Sequence, residues 1–421
     1  GESLFQKVRV YNFNRRSTQR RSFSLGSHKG HARAWLGALN VMKAHEHKPT
    51  VALIVPYAPA VPLFRRPLLK ELAGRGFTSL VYAPDWTEAL EKALEQEKGA
   101  KALHYPLKRT SISPLADLKT LLSLAVSLAH SQPHLVLTFQ PKPNVYGILA
   151  AALARVPLRA AVVEGLGFAF TPGEDTLKKR LVRAVLKVLY RLSFAFAHKV
   201  FFLNPDDLKE FVSQGLVRPE KAVLLGGIGV PLEEWPPAPP HLEPLTFTLI
   251  ARLLKEKGVR EFAEAARRVK AKHPEARFLL IGPLDTNPGA IPEEEVRSWV
   301  GEGVLEWIPW TDDVRPYLRQ TSVYVLPSYR EGVPRSTQEA LAMARPVITT
   351  DAPGCRETVV DGVNGFLVPP RDPEALAEAM ERFIQDPSLV ERMGWESRKL
   401  AEERFDAYKI NARLLSELGI K

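Results

Sequence analysis

Short apolar runs and amphipathic stretches alternate along most of this chain. In its first half, apolar runs rich in branched side chains predict buried strands at 50–57, 77–83, 101–107, 134–138 and 199–203, with a further strand that ends at Glu164. Stretches with helical periodicity predict helices at 64–74, 86–98 and 114–130. Strands that alternate with helices in this way are typical of a doubly wound parallel sheet.

The alternation resumes in the second half, with predicted strands at 245–250, 277–282 and 303–308 and a predicted helix at 259–272. Between the halves, residues 231–244 contain six prolines in fourteen positions. Proline fixes the backbone, so this segment reads as a stiff linker. The pattern therefore predicts an α/β protein with two doubly wound domains, at 50–230 and 245–405.

The segment 322–370 repeats the pattern in a compact form. A buried strand at 322–326 leads through a turn into a helix, and a second strand follows at 346–350. The turn therefore lies at the carboxyl end of a strand, which is where open α/β sheets bind ligands.

Two carboxylates are the candidate chemistry of this segment. Glu331 lies in the turn and Glu339 in the helix. Eight helical residues span roughly 12 Å, which is too far for an acid–base pair on one bond but suits two contacts at either end of an extended ligand. Between them, the N–H groups of Val333, Arg335 and Ser336 mark a helix N-terminus that favours phosphate. The alternative is that both are surface glutamates, one of them in a helix cap.

The order of residues here resembles a known family. The string EGVPRSTQEA at 331–340 is similar to the E-x7-E motif of retaining glycosyltransferases of family 4, which have the GT-B fold. The strings RPVI at 345–348, GCRE at 354–357 and DGVNGFLV at 361–368 also match that family. The resemblance covers residues 50–405 and implies two Rossmann-like domains facing across a cleft, with a last helix in 406–421 that packs back on the first domain.

The resemblance implies a nucleotide-sugar site in the second domain. The string ARLLKEKG at 251–258 resembles the family loop whose arginine and lysine hold the diphosphate, which here are Arg252 and Lys257. Fixed cations stabilise the charge that builds on a leaving diphosphate. Glu339 would accept from the ribose hydroxyls, and Glu331 would hold the donor sugar. The predicted catalytic residues are thus Glu331, Arg252 and Lys257.

Further donor contacts follow from two strings. PWTDDV at 309–314 resembles the family turn near the nucleobase, so Trp310 is a candidate contact. The predicted donor-binding residues are Arg252, Lys257, Trp310, Glu331, Gly332, Val333, Pro334, Arg335, Ser336 and Glu339. No metal or cofactor is expected, because no D-x-D string lies in a suitable loop and Asp312–Asp313 reads as a turn.

The acceptor is expected in the first domain. The string TFQPKPNVYG at 138–147 resembles an element of the family branch that builds capsules, lipopolysaccharide and lipid-linked oligosaccharides, and it predicts acceptor contacts by Lys142 and Asn144. A second element begins at Glu164, Gly165 and Gly167. There the glycines would permit close approach, and Glu164 is a candidate acceptor contact or base. The alternatives are that Lys142 is a solvated loop lysine and that Glu164 belongs to a structural turn.

Composition and charge bear on two classes of protein, nucleic-acid binders and membrane-spanning proteins. The chain has 421 residues, one cysteine and a net charge of +11. Residues 1–50 hold ten Lys and Arg against two acidic residues, so the rest carries only about +3. A nucleic-acid binder would therefore depend on the basic leader, 1–49, which reads as a disordered tail. No apolar run reaches the 18–20 residues of a membrane span, and the single cysteine fits a reducing cytoplasm.

The predicted helix at 175–198 is amphipathic, with a basic stripe at four-residue spacing formed by Lys179, Arg183, Lys187 and Arg191. Its apolar residues include Leu181, Val185, Leu189, Leu192 and Phe196. Such a helix can dock on anionic lipid, or it can bury its apolar face in the core and expose its basic face to water. The first alternative predicts a peripheral protein on the inner face of the cell membrane.

The resemblance therefore implies a retaining glycosyltransferase that uses a nucleotide sugar, with a UDP-sugar favoured, and a glycan or polyprenyl-diphosphate-linked sugar as acceptor. A GDP- or ADP-sugar donor is the first alternative. A sugar-nucleotide epimerase on the same GT-B scaffold is the second, although such enzymes lack E-x7-E together with Arg252 and Lys257.

Overall fold

The structure is a computed structural model that describes residues 48–109, 113–166, 170 and 176–421. Nearly all of the predicted basic leader, 1–49, lies outside the described residues, as does Gly167. The described residues form two parallel sheets, each covered by helices.

The first sheet has seven strands in the order β3-β2-β1-β4-β5-β6-β7. These are β1 Thr50–Ile54, β2 Thr78–Ala83, β3 Ala100–His104, β4 Leu135–Phe139, β5 Leu158–Val163, β6 Lys199–Phe202 and β7 Ala222–Leu224. Its helices are α1 Arg66–Gly74, α2 Glu88–Glu95, α3 Pro114–Ser131, α4 Ile148–Leu153, α5 Leu177–Phe196 and α6 Pro205–Ser213. The order reverses at β1, which pairs with β2 on one side and β4 on the other.

The second sheet has six strands in the order β10-β9-β8-β11-β12-β13. These are β8 Thr246–Ile250, β9 Arg277–Ile281, β10 Glu306–Ile308, β11 Val323–Leu326, β12 Val347–Thr350 and β13 Gly365–Val368. The helices after β8 are α7 Val259–Lys272, α8 Glu293–Gly301, α9 Arg315–Arg319, α10 Arg335–Ala342, α11 Pro373–Gln385, α12 Ser388–Arg404 and α13 Ala407–Glu417. This order reverses between β8 and β11, so the loops that follow these two strands meet at one edge.

The fold class predicted from the alternation is confirmed: two doubly wound sheets lie on either side of a cleft. Several boundaries differ. The predicted strand at 303–308 forms only at Glu306–Ile308, and α1 begins at Arg66 after a helical turn at Val61–Arg65. The strands β7 and β13 were not predicted; both are short, with three and four residues.

The proline-rich segment lies against the second sheet's helices and is held there by buried arginine. Arg345 is fully buried and donates to the carbonyl oxygens of Ala238, Pro239 and Leu318 at 2.8–3.0 Å. The chain returns to the first sheet at its C-terminus, where Ala407 N donates to Val230 O at 3.0 Å and α13 packs on α1.

The helix α5 differs from both interpretations of its sequence. Lys179, a member of the predicted basic stripe, is buried, so the stripe is not a continuous exposed row. The core side of α5 is formed by Tyr190 and Phe194, with Val182, Leu186 and Leu189 partly buried against the same cluster. Other apolar positions are exposed: Leu177, Leu181, Val185, Val188, Leu192 and Phe196. Of the apolar residues named in the prediction, Leu189 packs on the core, whereas Leu181, Val185, Leu192 and Phe196 are exposed, so the expectation that they are in the core is wrong for four of the five.

Among the helices of the described residues, none combines the length with the apolar character that crossing a bilayer requires.

Candidate active site

The loops that follow β8 and β11 bring two predicted residues into contact. Lys257 Nζ lies 2.5 Å from Glu331 Oε1, and Ser328 Oγ donates to the same oxygen at 2.8 Å. Both side chains are largely covered, with 21% of Lys257 and 12% of Glu331 exposed. Gly258 makes the approach possible, because a Cβ there would lie 2.1 Å from Pro327 O. Its φ of +72° also favours glycine.

Arg252, the second predicted cation, is held separately. Its Nη1 lies 2.8 Å from Asp285 Oδ2, and 56% of its side chain is exposed. Arg252 lies in the loop after β8, as Lys257 does, but its side chain pairs with Asp285 rather than with Glu331.

Glu339 belongs to a second group of side chains. Its Oε1 accepts from Arg335 Nε at 3.0 Å. Burial raises the pKa of Glu339 despite the neighbouring guanidinium, and burial likewise lowers the pKa of Arg335. Arg335 also donates to Gly229 O at 2.8 Å and lies 5.5 Å from the centre of the Phe64 ring. The two glutamates thus occupy distinct places along one cleft, as an extended ligand requires.

A cavity of about 390 Å³ surrounds this second group, within the range of small-molecule sites. Both domains line it. The first contributes residues 62–64, 66, 67 and 70, and the second contributes 311–315 with Arg335, Ser336 and Glu339. Trp310 immediately precedes the lining; 69% of it is exposed and its Nε1 donates to Asp312 at 3.2 Å. Contact between Trp310 and a donor stays a prediction.

The predicted acceptor residues of 138–147 need correction. Asn144 is buried, where its Oδ1 accepts from Thr138 Oγ1 at 2.8 Å and its Nδ2 donates to Val162 O at 2.9 Å. It supports the loop from inside and does not face the cleft. Lys142 forms an ion pair with Asp117 at 2.6 Å and also donates to Lys108 O. An acceptor would have to compete with these contacts for Lys142.

Glu164 is paired with an arginine that the sequence analysis missed. Arg65 Nη2 lies 2.5 Å from Glu164 Oε1, and only 4% of Arg65 is exposed. The guanidinium also lies 3.8 Å from the centre of the Phe139 ring, a cation–π contact. The only signal in the sequence was a basic residue in the turn after β1. Gly165 and Glu164 O approach Gly332, in the loop that carries Glu331, directly.

Comparison with known proteins decides the family. The model described as glycosyl transferases group 1 matches residues 244–386, and the one described as glycosyl transferase 4-like domain matches residues 64–227. A Campylobacter jejuni protein named N,N'-diacetylbacillosaminyl-diphospho-undecaprenol alpha-1,3-N-acetylgalactosaminyltransferase is 31% identical over 342 residues, 77% of this chain and 87% of that protein. The chain belongs to this glycosyltransferase family.

Other proteins that are similar to this glycosyltransferase support the same family and fold. The capsular polysaccharide biosynthesis glycosyltransferase CapM of Staphylococcus aureus is 27% identical, covering 75% of this chain and 84% of CapM. Sucrose-phosphate synthase from Thermosynechococcus elongatus superposes with a TM-score of 0.72 at 18% identity, covering 88% of this chain and 98% of that one. Anabaena HepE in complex with UDP superposes with a TM-score of 0.69 at 17% identity, covering 88% and 99%. These likenesses confirm the predicted GT-B fold and the glycosyltransferase class.

Proposed function

We propose that this glycosyltransferase moves a hexose or N-acetylhexosamine from a UDP-sugar to a polyprenyl-diphosphate-linked sugar, with retention at the anomeric carbon, during synthesis of a cell-surface polysaccharide. The C. jejuni relative's name specifies an undecaprenol-diphosphate acceptor, and that of an Escherichia coli relative, 26% identical, specifies UDP-galactose and the same class of acceptor. Both relatives match most of this chain.

The observation that carries the proposal is the pair of separated glutamate groups along one cleft. Glu339 lies in the cavity between the domains, which suits a nucleoside whose ribose hydroxyls donate to it. Glu331, bound to Lys257, lies beyond it and suits the donor sugar. Lys257, Arg252 and the N-terminus of α10 between the two groups would stabilise the diphosphate.

In the proposed reaction, the bond from the anomeric carbon to the diphosphate oxygen breaks and one to the acceptor oxygen forms on the same face. The acceptor's hydroxyl proton passes to the leaving diphosphate. Glu164 would orient the acceptor hydroxyl, and Arg65 would hold that carboxylate in place.

We also propose that the protein binds peripherally to the cytoplasmic face of an anionic membrane through α3 and α5. Both helices expose apolar side chains, most fully Leu115 and Leu177 at 82% and 83%. α4 packs between them, so they belong to one layer of the fold. Every charged residue of α5 is Lys or Arg, which complements an anionic surface. An acceptor with a polyprenyl tail would be presented at such a surface.

The membrane part is tested with sedimentation on phosphatidylglycerol vesicles. The double variant Leu181→Asp, Val188→Asp should lose most binding, whereas Leu242→Asp, which changes an exposed leucine on the linker, should bind like the wild type. Equal binding by all three proteins would refute this use of α5.

The reaction itself is tested by incubating the enzyme with a UDP-sugar panel and a polyprenyl-diphosphate sugar, then assigning the new linkage by NMR. An α-linked product from an α-linked donor is expected. A product of inverted configuration would contradict the mechanism. Sugar-nucleotide isomerisation without acceptor would favour the epimerase, and transfer from GDP- or ADP-sugars alone would favour the first alternative donor.

A further inference from the structure

The start of α6 contacts the loop that carries Glu331, although the two belong to different domains. Asn204 caps α6, because its Oδ1 accepts from Asp207 N at 2.8 Å. Its Nδ2 donates to Gly332 O at 2.6 Å, across the cleft. In the structure the same fully buried amide is also a contact between domains.

Arg330 strengthens this contact with two carboxylates. Its Nη2 lies 2.6 Å from Asp207 Oδ1 and 2.7 Å from Glu210 Oε2. Asp207 is fully buried, which raises the pKa of its carboxyl, while the bond from Arg330 acts against that rise. A buried carboxylate of this kind depends on its partner, because an unpaired charge there would be strongly unfavourable.

The backbone approach at this place leaves no room for side chains. A Cβ on Gly332 would lie 1.8 Å from Glu164 O in the first domain. On the other side of the loop, a Cβ on Gly354 would lie 2.1 Å from Glu331 O. A second ion pair between the domains, Arg356 to Asp206 at 2.8 Å, lies nearby. The loop is therefore enclosed from both sides only while the two domains are apposed as they are here.

Glu331 lies between the two anchored residues, Arg330 and Gly332, while its own carboxylate contacts Lys257. Its backbone is held from both domains, because its N–H donates to Pro353 O at 3.0 Å in the second domain and its carbonyl oxygen accepts from Asn204 Nδ2 at 3.4 Å in the first. We infer that Arg330 is a positioning residue: with Asn204 and Asp207 it makes the placement of Glu331 depend on apposition of the two domains. This inference rests on the proposed function of Glu331 as the donor-sugar contact.

The experiment compares Arg330→Gln with the control Arg277→Gln. Arg277 pairs with Glu306 inside the second domain, at the start of strands β9 and β10 and away from the cleft. For each protein one measures Kd for UDP, Kd for the UDP-sugar that the wild type uses, and kcat. For Arg330→Gln, we expect a Kd for UDP within about twofold of the wild-type value. We expect its preference for the UDP-sugar over UDP to fall roughly tenfold, and its kcat to fall at least about tenfold below the wild type. The control should match the wild type.

A milder variant keeps the test decisive if Arg330→Gln folds poorly. Glu210→Gln removes one partner of Arg330 at a position that is not buried, and it should move the same quantities in the same direction by about threefold. If a folded Arg330→Gln, or Glu210→Gln in its place, kept the wild-type sugar preference and kcat, the inference would be wrong while the proposed function stood. If the wild type bound no nucleotide sugar, the proposed function itself would fail.

Discussion

Replacing Lys257 by Met tests whether this cation acts in catalysis or only stabilises the fold. The ammonium lies 2.5 Å from Glu331 Oε1, with both side chains mostly covered. A hydrogen bond to a charged group contributes about 1.5–3 kcal/mol. Glu331 keeps the bond from Ser328, so we expect a stability loss at the lower end, about 1–2 kcal/mol. The protein should therefore stay folded at 25 °C.

The effect on rate should be much larger if Lys257 stabilises the leaving diphosphate. Loss of one such group costs about 2.7–4 kcal/mol of transition-state stabilisation, or 10²–10³ in kcat. The assay is UDP release with saturating acceptor, together with urea denaturation of the same preparation. Lys272→Met is the matched control, since it removes a lysine that pairs with Glu381 at 2.9 Å on the same domain. A kcat for Lys257→Met within about threefold of the control would refute the reasoning.

Two further predictions concern stability. Burial raises the pKa of Glu339 above the ordinary 4.5, so the stability that its protonated form supplies is lost as pH rises from about 4.5 through the raised pKa. Glu339→Gln should therefore gain stability relative to the wild type over that window, as measured by urea unfolding between pH 4 and 8; parallel curves would contradict it. Arg345→Met should cost about 3 kcal/mol or more, because it leaves several buried carbonyl oxygens unpaired. Denaturant unfolding at pH 7 checks this, and a loss below about 1 kcal/mol would show that the linker does not depend on Arg345.

The contacts of the proposed donor site were largely predictable because its residues lie close in sequence to the strand ends that position them. Glu331 follows β11 by five residues, and Lys257 lies in the loop after β8. Adjacent parallel strands bring such loops to one edge, so the contact between Lys257 and Glu331 follows from topology. The family motif and the topology of the sheet therefore both indicate Lys257 and Glu331.

The contacts of the proposed acceptor site were less predictable because they join distant parts of the chain. Arg65 and Glu164 are 99 positions apart, and no local pattern pairs them. The sequence places Asn144 in a loop, but in the structure its side-chain amide is buried and hydrogen-bonded to Thr138 and Val162. The periodicity of α5 revealed two faces without showing which one the sheet would cover.

The most direct test of the donor site is the melting temperature of the purified enzyme against UDP-, GDP- and ADP-sugars, with Glu339→Ala measured beside the wild type. A ligand that binds only the folded state raises that temperature, by an amount equivalent to about 2.7 kcal/mol at a concentration of a hundred times Kd. The account predicts a rise with a UDP-sugar that Glu339→Ala abolishes. No rise with any nucleotide sugar, or an equal rise in the variant, would contradict it.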